Sequence, residues 1–173
     1  MAQASDLIVL GALSAGLGSA AVIDIRHRRI PNVICVATAA TGITLSMIGV
    51  SSITVGSALA GLAFGFLMML PGHVFGATGA GDVKLFAAAG TMLGSGRITT
   101  AFLFVAIAGG VLALAIAFRR GRLGRTVGLT ARLLGRPHKL KTEIELPAEH
   151  NKFSYGPAIA IGCVIAMLIG ESL

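Results

Sequence analysis

Two aspartates, Asp24 and Asp82, are the residues of this chain best suited to chemistry by type and setting. Each stands at the edge of an apolar run. Leu7–Ile23 is uncharged and stops at Asp24, and Val83–Gly94 follows Asp82 with Lys84 as its only charge. An ionisable side chain in or beside a membrane-length apolar segment is costly, and is a functional candidate for that reason. Two carboxylates brought together do not both ionise easily, so they share a proton. The ionised member can take a proton from water while the protonated one polarises the bond under attack. Two other uses fit the same residues: carrying a proton or ion across a membrane, and capping helix ends in headgroup water, for which Asp82 near a helix N-terminus is well placed.

The neighbours of the aspartates narrow these uses. Asp82 follows Gly76-Ala77-Thr78-Gly79-Ala80-Gly81, whose glycines permit irregular backbone and the close approach of another chain. Gly79 and Gly81 are therefore expected to make room for an extended backbone beside the carboxylates. Asp24 leads into Ile25-Arg26-His27-Arg28-Arg29-Ile30-Pro31-Asn32, where the arginines hold a helix end at the headgroups and Pro31 can start the next helix. Lys84, two residues past Asp82, points to a different helix face; it snorkels to the headgroups or meets a substrate carboxylate or a lipid. His73 is expected in the loop before Asp82, solvated or near the site. His27, His138 and His150 show no metal-ligand spacing, and Cys35 and Cys163 form no CxxC, so neither metal, cofactor nor disulfide is expected.

The elements that carry these residues are apolar. Of 173 residues, 55% are hydrophobic and 12% charged, half the charge of an ordinary soluble domain, and the mean hydropathy is +0.88. The expected fold is all-α and polytopic. About six membrane helices are read from the apolar runs Leu7–Ile23, 33–49, 53–71, Val83–Gly94, Ile98–Phe118 and Phe153–Gly170, with turns at 49–52 and at Pro71-Gly72. Gly61 and Gly65, and the ridge Gly11, Ala15 and Ser19, are read as helix-packing faces. The arginines at 26, 28 and 29 place that loop in the cytoplasm and the N-terminus outside; alternation puts 119–152 inside and the C-terminus outside. Both aspartates then lie at the cytoplasmic face. Most of the fourteen Lys and Arg fall in 119–152. That placement reads as an orientation signal, not a nucleic-acid surface; the segment is either a basic amphipathic helix on anionic headgroups or a solvated linker.

These residues resemble a known family. Gly79-Ala80-Gly81-Asp82 matches the GxGD signature of intramembrane aspartic proteases, and Lys84 and Leu85 match its usual continuation. Asp24 to Asn32, an Asp followed by basic residues and then Ile-Pro-Asn, is similar to the first aspartate motif of type IV prepilin peptidases. Tyr155-Gly156-Pro157 resembles their C-terminal PYGP-like element, with Ser154 in place of the first proline. The resemblance covers nearly the whole chain. It implies an inner-membrane aspartic endopeptidase with Asp24 and Asp82 catalytic, and with Gly79, Gly81, Pro31, Asn32, Lys84 and Tyr155 shaping the site or binding substrate. The implied substrate is a prepilin, cut at the cytoplasmic face after a glycine and just before its hydrophobic helix. Larger bacterial members add a cytoplasmic domain with paired CxxC motifs, associated with N-methylation. This chain, read as one peptidase domain over 1–173, is similar instead to the short branch that serves Flp or tight-adherence pili. Two alternatives stay open: a small proton-coupled transporter, which would want the aspartates at mid-membrane and an inverted repeat, and a non-catalytic pilus-assembly subunit docking through 119–152.

Overall fold

The computed structural model describes residues 4–74, 76, 78–119 and 155–169, and the elements among them are all helices. These are α1 (Ala4–His27), α2 (Asn32–Met47), α3 (Val55–Val74), α4 (Ala80–Arg119) and α5 (Gly156–Ile169). Three stretches, Ala4–His27, Val55–Val74 and Ala80–Ala115, are long and apolar enough to cross a membrane, whereas α2 and α5 have 16 and 14 residues. Met1–Gly109 with Ser154–Leu173 forms one compact unit and Gly110–Phe153 a second. Both aspartates belong to the first. Of the second, the described part is the C-terminal stretch of α4, and the basic segment from residue 120 onward lies outside the described residues.

The run read as the shortest span turns out to be the centre of the first unit. Residues 82–94 of α4 are all buried except Lys84. Leu85, Phe86, Ala89 and Leu93 pack there with Leu13 and Leu17 of α1 and Ile159 of α5. Phe86 meets Phe102 edge to face, with centroids 6.1 Å apart. Small residues let α4 occupy this place. A β-carbon on Gly61 would collide with the Gly90 carbonyl and one on Gly90 with the Gly61 carbonyl, while Gly65 lies against Ala87. The expected Gly61–Gly65 packing face is therefore real, and α4 is its partner. Among the described residues the Gly11–Ala15–Ser19 ridge is not such a face: all three residues are exposed, and none of the described residues stands within 4 Å of a Gly11 β-carbon. Instead Gly16 packs on Thr38 of α2. Cys35 and Cys163 are buried free thiols, as their apolar settings suggested.

The outer faces are apolar too. Leu7, Val22, Val36, Leu67, Leu103 and Ile161 are all at least half exposed. Large aliphatic side chains turned outward on apolar helices fit a hydrocarbon solvent.

Three boundaries differ from the sequence reading. Pro71 does not end α3, which runs on to Val74. Proline removes one N–H and crowds the carbonyl four residues back, yet α3 carries Pro71 inside it. No loop spans 94–97; the single residue Gly94 (φ 70°, ψ 177°) leaves helical geometry and the chain resumes at once. A helix of 40 residues would measure about 60 Å, twice the ~30 Å hydrocarbon core, so this break matters for how α4 sits in a bilayer. Finally, Asp24 does not close α1, which continues to His27.

Candidate active site

Asp24 lies in the last turn of α1, 5% exposed. That is the carbonyl-rich end of its own helix, an unfavourable place for a negative side chain, so Asp24 is not a cap of α1. Its Oδ2 accepts a hydrogen bond from the Gly156 main-chain N–H at 3.0 Å. The chain leaves α1 through Arg28, whose N–H donates to the Asp24 carbonyl and whose φ of 52° is left-handed. Such a conformation in a non-glycine residue is strained and persists where surrounding structure imposes it. Pro31 follows in extended geometry (φ −63°, ψ 134°), immediately before α2 begins at Asn32.

Asp82 is 6% exposed and sits in the first turn of α4. Its Oδ2 accepts the Gly79 N–H at 2.8 Å, the backward half of a capping box. The capping reading thus holds for Asp82 as a bond, but not as a setting in headgroup water, because both carboxylates are buried. The segments that carry them meet: Ile30, after Asp24, stands against Gly81, and Lys84, after Asp82, bonds to Asn32.

The other residues singled out divide into two groups. Lys84 and Asn32 form a bond that sequence reasoning missed: Lys84 Nζ donates to Asn32 Oδ1 at 3.0 Å. It ties the segment after Asp24 to the helix that carries Asp82. Tyr155 fills the place a Gly109 side chain would take, and its hydroxyl donates to the Val105 carbonyl at 3.4 Å. The two glycines before Asp82 face the chain itself. A β-carbon on Gly79 would lie 3.1 Å from Asp82 Oδ2, and one on Gly81 3.1 Å from the Ile30 β-carbon. Gly81 thus admits Ile30, from the segment after Asp24, and neither glycine has positive φ.

His73 is in the last turn of α3, not in the loop, with Nδ1 3.1 Å from the Thr78 carbonyl. The Thr78 hydroxyl is buried without a hydrogen-bond partner among the described residues. An open cavity of about 530 Å³, lined by Ile23, His27, Arg29, Ile30, Pro31 and Asn32, adjoins Asp24 along the chain. No group of three or more His, Cys, Asp or Glu among the described residues could hold a metal ion.

The chain is similar in sequence to known proteins. The profile of the type IV leader peptidase family matches residues 11–114, a stretch that includes both aspartates, Asn32 and Lys84. The prepilin leader peptidase/N-methyltransferase of Bacillus subtilis (strain 168) is 31% identical over 117 residues, which make up 66% of this chain and 37% of that protein. The chain thus spans little more than a third of the length of the curated relative it matches. No solved structure matches it.

Proposed function

Because the chain belongs to the type IV leader peptidase family, we propose that it is a membrane-embedded prepilin peptidase in which Asp24 and Asp82 activate a water. The observation that carries this reading is the burial of both aspartates, each bonded to a main-chain N–H, on segments that meet at Gly81–Ile30 and Lys84–Asn32. A buried carboxylate at the carbonyl end of its own helix is unfavourably placed, which supports a chemical role for Asp24. The pair shares a proton; the ionised carboxylate takes a proton from water, which attacks the scissile carbonyl. The protonated carboxylate polarises that carbonyl and then helps protonate the leaving amine. Gly79, Gly81, Pro31, Asn32, Lys84 and Tyr155 shape the site. The substrate is a prepilin of the Flp type, cut where its leader meets its hydrophobic helix. Co-expression with such prepilins, scored by leader removal, tests the reading. Intact prepilin at normal expression of the chain would reject it.

The proposed topology has six spans, with both termini outside and the aspartates at the cytoplasmic face of the inner membrane. Two features support it: the break at Gly94 in a helix twice the bilayer thickness, and the clustering of Lys and Arg at 26–29 and in 119–152. The latter segment lies against anionic headgroups in this reading. A reporter fused after Leu140 is expected to read cytoplasmic and one at the C-terminus periplasmic; the reverse pattern would put the aspartates on the wrong face for leader cleavage.

The Lys84–Asn32 bond yields a separate expectation. If it holds the two aspartate segments in register, Lys84→Met and Asn32→Ala lower the cleavage rate by the same factor. The double variant is then no slower than either single, because partners in one interaction are non-additive. Additive losses would show that the two residues act apart. The bond is exposed, so each substitution should cost at most about 1 kcal/mol in stability, read as a small change in Tm.

A further inference from the structure

The start of α5 supplies a donor to Asp24. A buried carboxylate needs hydrogen bonds, and the unpaired main-chain groups at the end of α1 are carbonyls. Gly156 is the first residue of α5, so its N–H is one of those that helix geometry leaves without an internal partner. That N–H is the donor to Asp24 Oδ2, in a buried bond joining residues far apart in sequence. The two helices otherwise pack closely, with Ile159 and Cys163 of α5 in the same core as Leu13 and Leu17 of α1.

A side chain at this position would crowd Asp24. A β-carbon at residue 156 would lie 3.0 Å from Asp24 Oδ2, 3.1 Å from Asp24 Cβ and 3.4 Å from the Ala21 α-carbon. Contacts that tight require a neighbour to shift, and the Asp24 carboxylate is the neighbour with freedom to do so. The residues on either side fix where the amide points. Tyr155 is held by its bond to the Val105 carbonyl and its fit over Gly109. Pro157 has a preset φ and needs no partner for a missing N–H in the first helical turn. Asp82 has the matching arrangement at the start of α4, where its donor is Gly79. Two helix N-termini thus each offer a main-chain N–H to one aspartate.

We propose that Gly156 is a positioning residue: its main-chain N–H orients the Asp24 carboxylate, and glycine is required there because any β-carbon displaces that carboxylate. This inference rests on the reading of Asp24 as catalytic, and it is tested in the purified full chain by two readouts. The first is kinetic. Gly156→Ala is expected to lower kcat about tenfold with KM changed less than about twofold, since a carboxylate displaced by a fraction of an ångström loses transition-state contacts and not substrate binding. Gly65→Ala is the control: its β-carbon would meet the main chain of Ala87 and Phe86 at 3.1 Å, an equally tight contact in which neither carboxylate takes part. It should reduce stability and leave kcat at the wild-type value. The second readout needs no turnover. In isotope-labelled protein the Gly156 amide proton resonance should move upfield on Asp24→Ala and stay in place on Asp82→Ala. Wild-type kcat in Gly156→Ala, or a Gly156 amide indifferent to Asp24→Ala, would overturn the proposal. A wild-type chain that cuts no prepilin would instead reject the peptidase reading, and the amide shift alone would then decide whether Gly156 orients Asp24.

Discussion

Asp24→Asn and Asp82→Asn, each expressed at wild-type levels, are expected to reduce prepilin cleavage to background, with the double variant no worse than either single. Two carboxylates that share one proton around one water act as a unit, and the loss of either removes the whole effect. Asparagine is the informative substitution. Its side-chain oxygen can still accept the N–H of Gly156 at position 24 and of Gly79 at position 82, so the fold is retained while the acid–base chemistry is lost. Stability should change by no more than about 1 kcal/mol, the net worth of one hydrogen bond. Glutamate at either position should fail nearly as badly, because one added methylene moves the carboxylate by about 1 Å, a displacement that costs ~100-fold. A substantial rate in either Asn variant would return that aspartate to a purely structural role and leave the transporter and assembly-subunit readings to be tested.

The second large effect concerns the fold. Gly61→Ala and Gly90→Ala should each lower Tm severely, because the new methyl group meets the facing main-chain carbonyl and not a movable side chain. Overpacking that side chains can relieve costs about 1–3 kcal/mol; here the two helix backbones must separate, and the first half of α4 is the centre of the core. Gly11→Ala provides the contrast. Nothing lies within 4 Å of the added carbon, and surface substitutions of this kind stay within about 0.5 kcal/mol. Thermal unfolding of the three variants in detergent or lipid separates them. Equal, small shifts would mean that α3 and α4 do not approach at Gly61 and Gly90.

That contrast also marks where sequence reasoning stops. Small residues at four-residue spacing occur on α1 and on α3 alike, and the spacing does not say which face has a partner. Gly61 and Gly65 face α4; Gly11, Ala15 and Ser19 face outward. The helices themselves were readable, because uncharged runs of bilayer length have few other uses, but the burial of the first half of α4 was not read from the sequence. Pro71 misled because proline disfavours a helix interior without forbidding it. Within the candidate site, the aspartates stood out by their rarity in apolar sequence. The contacts that hold them did not: Gly156 to Asp24 and Lys84 to Asn32 join residues distant along the chain, and nothing local signals such a bond. Gly81 was read as room for a substrate because glycine reveals only that space is needed, and in this structure Ile30 stands against it.

If Asp24 and Asp82 serve one water, their side chains must face each other in the native protein, and this can be measured without any substrate. Asp24→Cys and Asp82→Cys are combined in a chain whose own thiols are removed by Cys35→Ala and Cys163→Ala, then treated with a bis-methanethiosulfonate of one-carbon bridge. Proteolysis and mass spectrometry should recover the segments containing positions 24 and 82 joined by the reagent, and each single-cysteine chain should only be labelled. Absence of the cross-link in a folded double variant, with both cysteines reactive toward a monofunctional reagent, would place the two aspartates in separate sites and contradict the shared-proton mechanism.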